Sequence, residues 1–262
     1  MPDAAPDPIA RAFDFAVRFT SFTRRCDAVR VGGMIDHADD LASVQAATER
    51  LLHAVGTLDN AAVTQSSRLP GWTLGHVLTH LARNADALVN VLEGRPMYAS
   101  AEARDADIEA GAARPLEEQL ADVRESAERF RAACAAPADP SRTVALRNGV
   151  TDRAERVPFR RWIEVELHHV DLGTGYELED LPADFTERET EFLAARFSGH
   201  PDVPATTLSD TGGRTWTTGG GADGVPVTVV GTPADLLGWL AGRRDGGALS
   251  VKGGDLPKLP PL

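Results

Sequence analysis

The chain is poor in cysteine. Of its 262 residues only Cys26 and Cys134 carry thiols, too few for a disulfide framework and without the paired spacing of a cysteine-based zinc site. Reducing cytoplasm is the expected compartment. Long apolar runs are lacking too: no stretch approaches the ~20 residues that a membrane span needs. The opening segment FDFAVRFTSF is broken by Asp14 and Arg18, so it lacks the charged-then-apolar order of a secretory signal. Basic residues are in deficit, with 27 Lys and Arg against 39 Asp and Glu and a formal net charge of −12. Such a field repels phosphate backbones, and no basic run interleaved with aromatics offsets it. Neither nucleic acid nor membrane is an expected partner.

What is present is a globular composition, 42% hydrophobic and 25% charged, long enough for one large domain or two ordinary ones. Residues 1–33 read as a loosely attached extension, because the periodic pattern begins only after GGMIDHADD, where Met34 offers a second start. From Asp36 the segment DHADDLASVQAATERLLHAVGTLD has helical spacing, acidic residues in its first turn and Gly56 near its end. GWTLGHVLTHLARNADAL follows a Pro70-Gly71 turn, with Thr73 placed as N-cap. A shorter helical piece, AEARDADIEAGA, precedes PLEEQLADVRESAERFRAACAA, whose stripe is Leu116, Leu120, Val123, Ala127 and Phe130. An extended excursion turning at Asn148-Gly149 leads to FRRWIEVELHHVDLGTGY, stopped by Gly173 and Gly175. Four amphipathic helices with one long connection suit a bundle. Beyond about residue 182 the texture becomes helix, short strands, helix and strand, a smaller α+β domain.

Two helices carry chemistry-bearing residues. On the second, the apolar stripe Leu74, Val77, Leu78, Leu81, Ala85 and Leu88 places His80 about 60° from Val77, at the stripe's edge and a partly open mouth, and His76 further toward solvent. On the fourth, Glu164, His168 and Asp171 project from one flank, while His169 points to the other beside Trp162. Glu164 and His168, four residues apart, read either as an ordinary surface pair worth a few tenths of a kcal/mol or as metal ligands. One histidine from an antiparallel neighbour would complete the His2Glu set of catalytic zinc sites, although such ligands suit other divalent metals as well. Asp171 either orients a ligand imidazole, pairs with Arg161 or merely sits in the helix end. Cys134 reads as a small buried residue, and Cys26 has no assigned role.

The blocks LPGWTLGHVLTHLARNADAL, RPMYASAEARDADIEAGAARP, RWIEVELHHVDLGTGY and GTPADLLGWLAGR resemble the mycothiol-dependent maleylpyruvate isomerases of the DinB-like metalloenzyme superfamily, over roughly Met34 to the C-terminus. The resemblance implies a DinB-like four-helix bundle over 34–181 and a small α+β, sterol-carrier-like domain over 182–262. It further implies Zn2+ held by His80, Glu164 and His168, and a catalytic arginine after the LLGWL helix, for which Arg243 matches best with Arg244 beside it. The family's N-terminus normally lies close to the first helix, so residues 1–33 depart from its pattern.

The activity implied is cis-to-trans isomerisation of maleylpyruvate to fumarylpyruvate, in aromatic-acid catabolism, with mycothiol as thiol cofactor. A free thiol has a pKa near 8.5 and is deprotonated outright on zinc, and a thiolate added to the activated double bond leaves a rotatable single bond. The substrate is an anionic dicarboxylate, which Arg243 could grip in bidentate fashion; the same arginine could instead face the helix dipole and water. Two other readings stand beside the isomerase: a mycothiol S-transferase acting on other electrophiles, and a non-catalytic carrier of a lipid or small metabolite.

Overall fold

A computed structural model describes residues 37–135 and 139–261. Cys26, Met34 and the expected extension over 1–33 lie outside them. The chain divides into two compact units between Gly175 and Tyr176.

The first unit is helical: α1 (His37–Val55), α2 (Leu74–Leu92), α3 (Ala101–Ala112), α4 (Leu116–Ala135) and α5 (Val157–Asp171), with a two-stranded hairpin, β1 (Thr143–Ala145) and β2 (Thr151–Arg153), before α5. Helix α2 sits at its centre, against α3, α4 and α5, while α1 packs on α4 and α5. The stripe expected on α2 is the one buried: Val77, Leu78, Leu81 and Ala85 are fully enclosed, and Leu74 and Leu88 nearly so. Val123 and Phe130 of α4 and Val165 and Leu167 of α5 join that core. These apolar faces drive the assembly, each large aliphatic side chain contributing about 1.5–3 kcal/mol on burial.

Local signals set the ends of α2 and α5. Thr73 caps α2 by accepting from the His76 amide, and the His76 ring answers by accepting from the Thr73 amide at 3.1 Å, a reciprocal box with histidine in the usual glutamate position. Helix α5 opens with Pro158 in its first turn and ends before Gly173, whose φ of 68° supplies the left-handed stop. The extended excursion is the β1–β2 hairpin, turned by Asn148 (φ 58°) and Gly149 (φ 73°).

Helix α3 lies close to α2. A Cβ on Gly75 would fall 1.9 Å from the Ala112 carbonyl oxygen, so only glycine fits there. The wholly buried Gln119 of α4 ties the three helices together: its amide donates to the carbonyls of Gly111 (2.8 Å) and Ala112 (3.3 Å), and its oxygen accepts from the Thr79 hydroxyl at 3.0 Å.

The second unit holds α6 (Ala183–Arg196), β3 (Thr206–Asp210), β4 (Thr215–Thr218), β5 (Val227–Gly231), α7 (Pro233–Leu240) and β6 (Ser250–Lys252). The sheet order is β4-β3-β5-β6, with β3 and β5 parallel and the outer pairs antiparallel. Leu208 and Val229 point inward from the central strands, and Phe185, Leu193, Leu236 and Leu237 of the paired helices α6 and α7 are buried with them. The sequence placed the boundary at 181/182. The intervening residues group with the second unit because a 3-10 turn, Leu178–Asp180, packs on α7 with Leu178 buried. Among the described residues no helix is long and apolar enough to cross a membrane.

Candidate metal centre

Helices α2 and α5 run side by side, and their facing flanks bring three side chains to one point. His80 comes from the middle of α2; Glu164 and His168 come from successive turns of α5. Nε2 of His80 lies 3.0 Å from Glu164 Oε2, and Nε2 of His168 lies 3.3 Å from the same oxygen. The two rings meet edge-on, their centroids 4.7 Å apart. One ligand atom from each of the three residues falls within 4.8 Å of the others, and the 3.0 and 3.3 Å separations from Glu164 are of the size that two ligands sharing an ion keep when its bonds are about 2.0–2.2 Å.

The far side of His168 is fixed. Its Nδ1 is 2.9 Å from Asp171 Oδ2, with both side chains 1% exposed. Of the two partners open to Asp171 in the sequence, the structure gives it His168; Arg161 instead donates to Asn84 Oδ1 at 2.8 Å. A carboxylate on Nδ1 holds the proton there, so Nε2 is the nitrogen that turns into the trio and would bind a metal after giving up its own proton. His80 has a cation on its far side: Nη2 of Arg104, from α3, lies 3.4 Å from His80 Nδ1. Arg104 donates to Asp105 at 2.7 Å and stands 5.9 Å from the centroid of the Tyr98 ring.

Burial corrects one expectation. His80 was placed at the edge of the apolar stripe near an open mouth, yet it is 3% exposed. Trp72, with its ring centroid 5.5 Å away, and Arg104 close over it. The opening is at Glu164, whose side chain is 27% exposed against 4% for His80 and 1% for His168. The surface-pair reading of Glu164 and His168 fails on the same grounds, since His168 is enclosed. His76 stays out of the trio, as expected, but it is no idle solvent-side residue: besides capping α2 it reaches Glu109 at 3.1 Å and stacks on Trp72. His169 is buried and outside the trio.

The charges of the trio follow from these contacts. Burial drives the His80 pKa down to about 4 against the pull of Glu164. Burial also pushes the Glu164 carboxyl up, but the contacts from His168 and His80 outweigh it and hold the group well below the usual carboxylate range. For His168, burial opposes charging and the Asp171 and Glu164 carboxylates overcome it, so its pKa rises. The site without metal is thus an ionised carboxylate between a neutral imidazole and one inclined to hold a proton. Exchange of that proton for a divalent cation is the chemistry such a donor set favours.

The remaining candidates lie elsewhere. Cys134 is buried and burial pushes its thiol up to about 12, which suits a packing residue and not a nucleophile. Arg243 and Arg244 belong to the second unit, just past α7. Arg244 is held by Glu179 (2.6 Å) and Asp235 (2.6 Å), while Arg243 is half-buried and donates to the Ala241 carbonyl at 2.8 Å. Sequence reasoning gave no site role to Arg104 or Tyr98. The signal for Arg104 was there: it heads the buried row Arg104, Ile108, Ala112 of α3, and a charge in line with an apolar row is one that the fold encloses.

Residues 44–173 match the family described as the mycothiol maleylpyruvate isomerase N-terminal domain, and residues 180–261 match the corresponding C-terminal domain. Among solved structures, a mycothiol-dependent maleylpyruvate isomerase is similar at 26% identity and a TM-score of 0.77, over 86% of this chain and 96% of that one. A histidine-to-alanine mutant of such an isomerase is similar at 25% identity, with the same TM-score and the same shares covered. Comparison with curated protein sequences returned no match.

Proposed function

The chain belongs to the mycothiol maleylpyruvate isomerase family, and from that premise we propose that it isomerises maleylpyruvate to fumarylpyruvate with zinc and mycothiol as cofactors. The observation that carries the reading is the convergence of His80, Glu164 and His168 on one point, with His168 oriented from behind by Asp171. Two imidazole nitrogens and one carboxylate oxygen match the three-ligand pattern of catalytic zinc sites, which leaves one position open. Zinc held there supplies a Lewis acid that lowers the pKa of a thiol placed against it.

The chain's own residues do the rest. Glu164 and the partly open side of the trio present the reacting thiol, and Trp72 and Arg104 close off the back of His80. In the reaction mycothiol acts as the thiolate, its proton already lost to water, and the sulfur lone pair bonds to one alkene carbon while the π electrons move to the conjugated carbonyl as an enolate. After rotation about the carbon–carbon bond that was the double bond, the enolate collapses, the carbon–sulfur bond breaks with its electron pair returning to the thiolate, and the trans alkene leaves. Arg243, which matches the family's arginine after the LLGWL helix best, is the residue we assign to the substrate carboxylate and the enolate charge. A buried free thiol such as Cys134 suits the cytoplasm as the place of action.

The test is turnover of maleylpyruvate by the purified protein supplied with zinc and mycothiol. Isomerisation that is lost in Arg243→Ala while zinc content is kept supports the reading. Conjugation of a generic electrophile to mycothiol without isomerisation would replace it with an S-transferase, and a native protein that binds no metal would replace it with a carrier.

A further inference from the structure

Arg161 has an environment that the proposed reaction leaves unexplained. It lies on α5 three residues before Glu164 and seven before His168, on the flank that carries both. Its side chain is wholly enclosed. Among the described residues its one hydrogen bond runs from Nη1 to Oδ1 of Asn84, which lies four residues after His80 on α2. Among the described residues neither Nε nor Nη2 has a hydrogen-bond partner, and no carboxylate forms an ion pair with the guanidinium.

The carboxylates that influence it from further off are Glu164 and Asp86. Asp86 is itself engaged by Arg83 (3.2 Å) and Arg129 (2.8 Å). Arginine stays protonated even when burial takes its pKa down to about 10, as here. Enclosing such a charge without a contacting counter-ion is expensive, and proteins rarely keep one by accident. The group is also closed to solvent on every side, so it cannot grip a substrate.

We infer that Arg161 is a positioning residue of the metal centre that acts through its charge: a fixed cation one turn behind the trio that offsets Glu164 and keeps the centre electropositive toward thiolate and enolate. The inference rests on the metal reading of the trio. Its physical content is a trade between two properties. A buried positive charge one helical turn from the ligands repels a divalent ion through a poorly screened interior, so it weakens metal binding. The same field favours negative charge on whatever occupies the open position.

The experiment compares zinc affinity, by competition with a chromophoric chelator, in the full-length wild-type protein and in Arg161→Met, Arg161→Lys and Asn84→Ala. Methionine keeps most of the buried volume, and replacing a buried charge by an apolar side chain is often tolerated. Arg161→Met is expected to bind zinc more tightly, by about tenfold or more, and to turn over maleylpyruvate more slowly. Arg161→Lys retains the charge and is expected to stay within about threefold of wild type in zinc affinity.

A purely structural role gives the opposite sign, because a loosened α2–α5 contact spoils ligand geometry. Weaker or unchanged zinc binding in a folded Arg161→Met protein overturns the inference. Should Arg161→Met fail to fold, Asn84→Ala and Arg161→Lys decide: affinity kept in both, with the charge retained, supports the electrostatic role, and a loss in both overturns it. A wild-type protein that binds no zinc removes the metal reading itself, which is a distinct result.

Discussion

His168 and Asp171 face each other one turn apart on α5, Nδ1 to Oδ2 at 2.9 Å, both out of reach of solvent. The carboxylate holds the Nδ1 proton, so that the nitrogen turned toward Glu164 and His80 is the one that offers a lone pair once its own proton is exchanged for a cation.

Asp171→Asn keeps the shape of this pair but loses the charge that holds the Nδ1 proton. Zinc affinity is expected to fall about 10–100-fold, with the fold intact by circular dichroism. An affinity equal to wild type would show that the aspartate does not support the ring.

Substitution within the trio is expected to act more severely. Wild-type protein should contain one zinc per chain, and His80→Ala or His168→Ala should remove it from protein purified in parallel. Metal analysis by mass spectrometry decides the point, and retention of zinc by both variants would place the metal elsewhere.

Gly75→Ala tests the packing that brings α3 and its Arg104 to the back of His80. The new methyl would overlap the Ala112 carbonyl, 1.9 Å away, so α3 must shift or α2 must bend. A loss of about 1–3 kcal/mol is expected from such overpacking, read as a lower midpoint in urea. Unchanged stability would mean that the helices separate at little cost.

Asp210 provides an acid-sensitive contact in the second unit. Burial raises the pKa of this carboxyl, but the guanidinium of Arg214, with Nε donating to Oδ2 at 2.7 Å, outweighs it and the pKa is lowered. The folded value therefore lies below the unfolded one. The pair's contribution is present above the unfolded pKa, near 4, and is lost as pH falls through the folded value. Asp210→Asn should remove that part of the acid dependence while leaving the zinc content unchanged; acid titration of the two proteins, followed by tryptophan fluorescence, would show it.

The elements of the fold were legible because each carries its own local signal. The α2 stripe, the Thr73 cap, the Asn148-Gly149 turn and the glycines after α5 all lie within a few residues of what they determine. The spacing of Glu164, His168 and Asp171 likewise placed them on one flank, and in the structure Glu164 and Asp171 stand on either side of the His168 ring. What a periodic pattern cannot contain is the neighbour across the gap. The depth of His80 depends on Trp72 and Arg104, which reach it from a loop and from α3. The partner of Asp171 stayed open for the same reason, since Asn84, the group that claims Arg161, lies 77 residues away in the sequence.

His80 and Glu164 are 84 residues apart along the chain, and both α3 and α4 lie between them. An ion shared by the two would close a loop of that length much as a disulfide does, restricting the unfolded chain most because the loop is long. It would also bind the native state alone, so raising the free zinc concentration to 100 times the dissociation constant would add about 2.7 kcal/mol to stability. The helical unit would then melt at a temperature that rises with zinc supply.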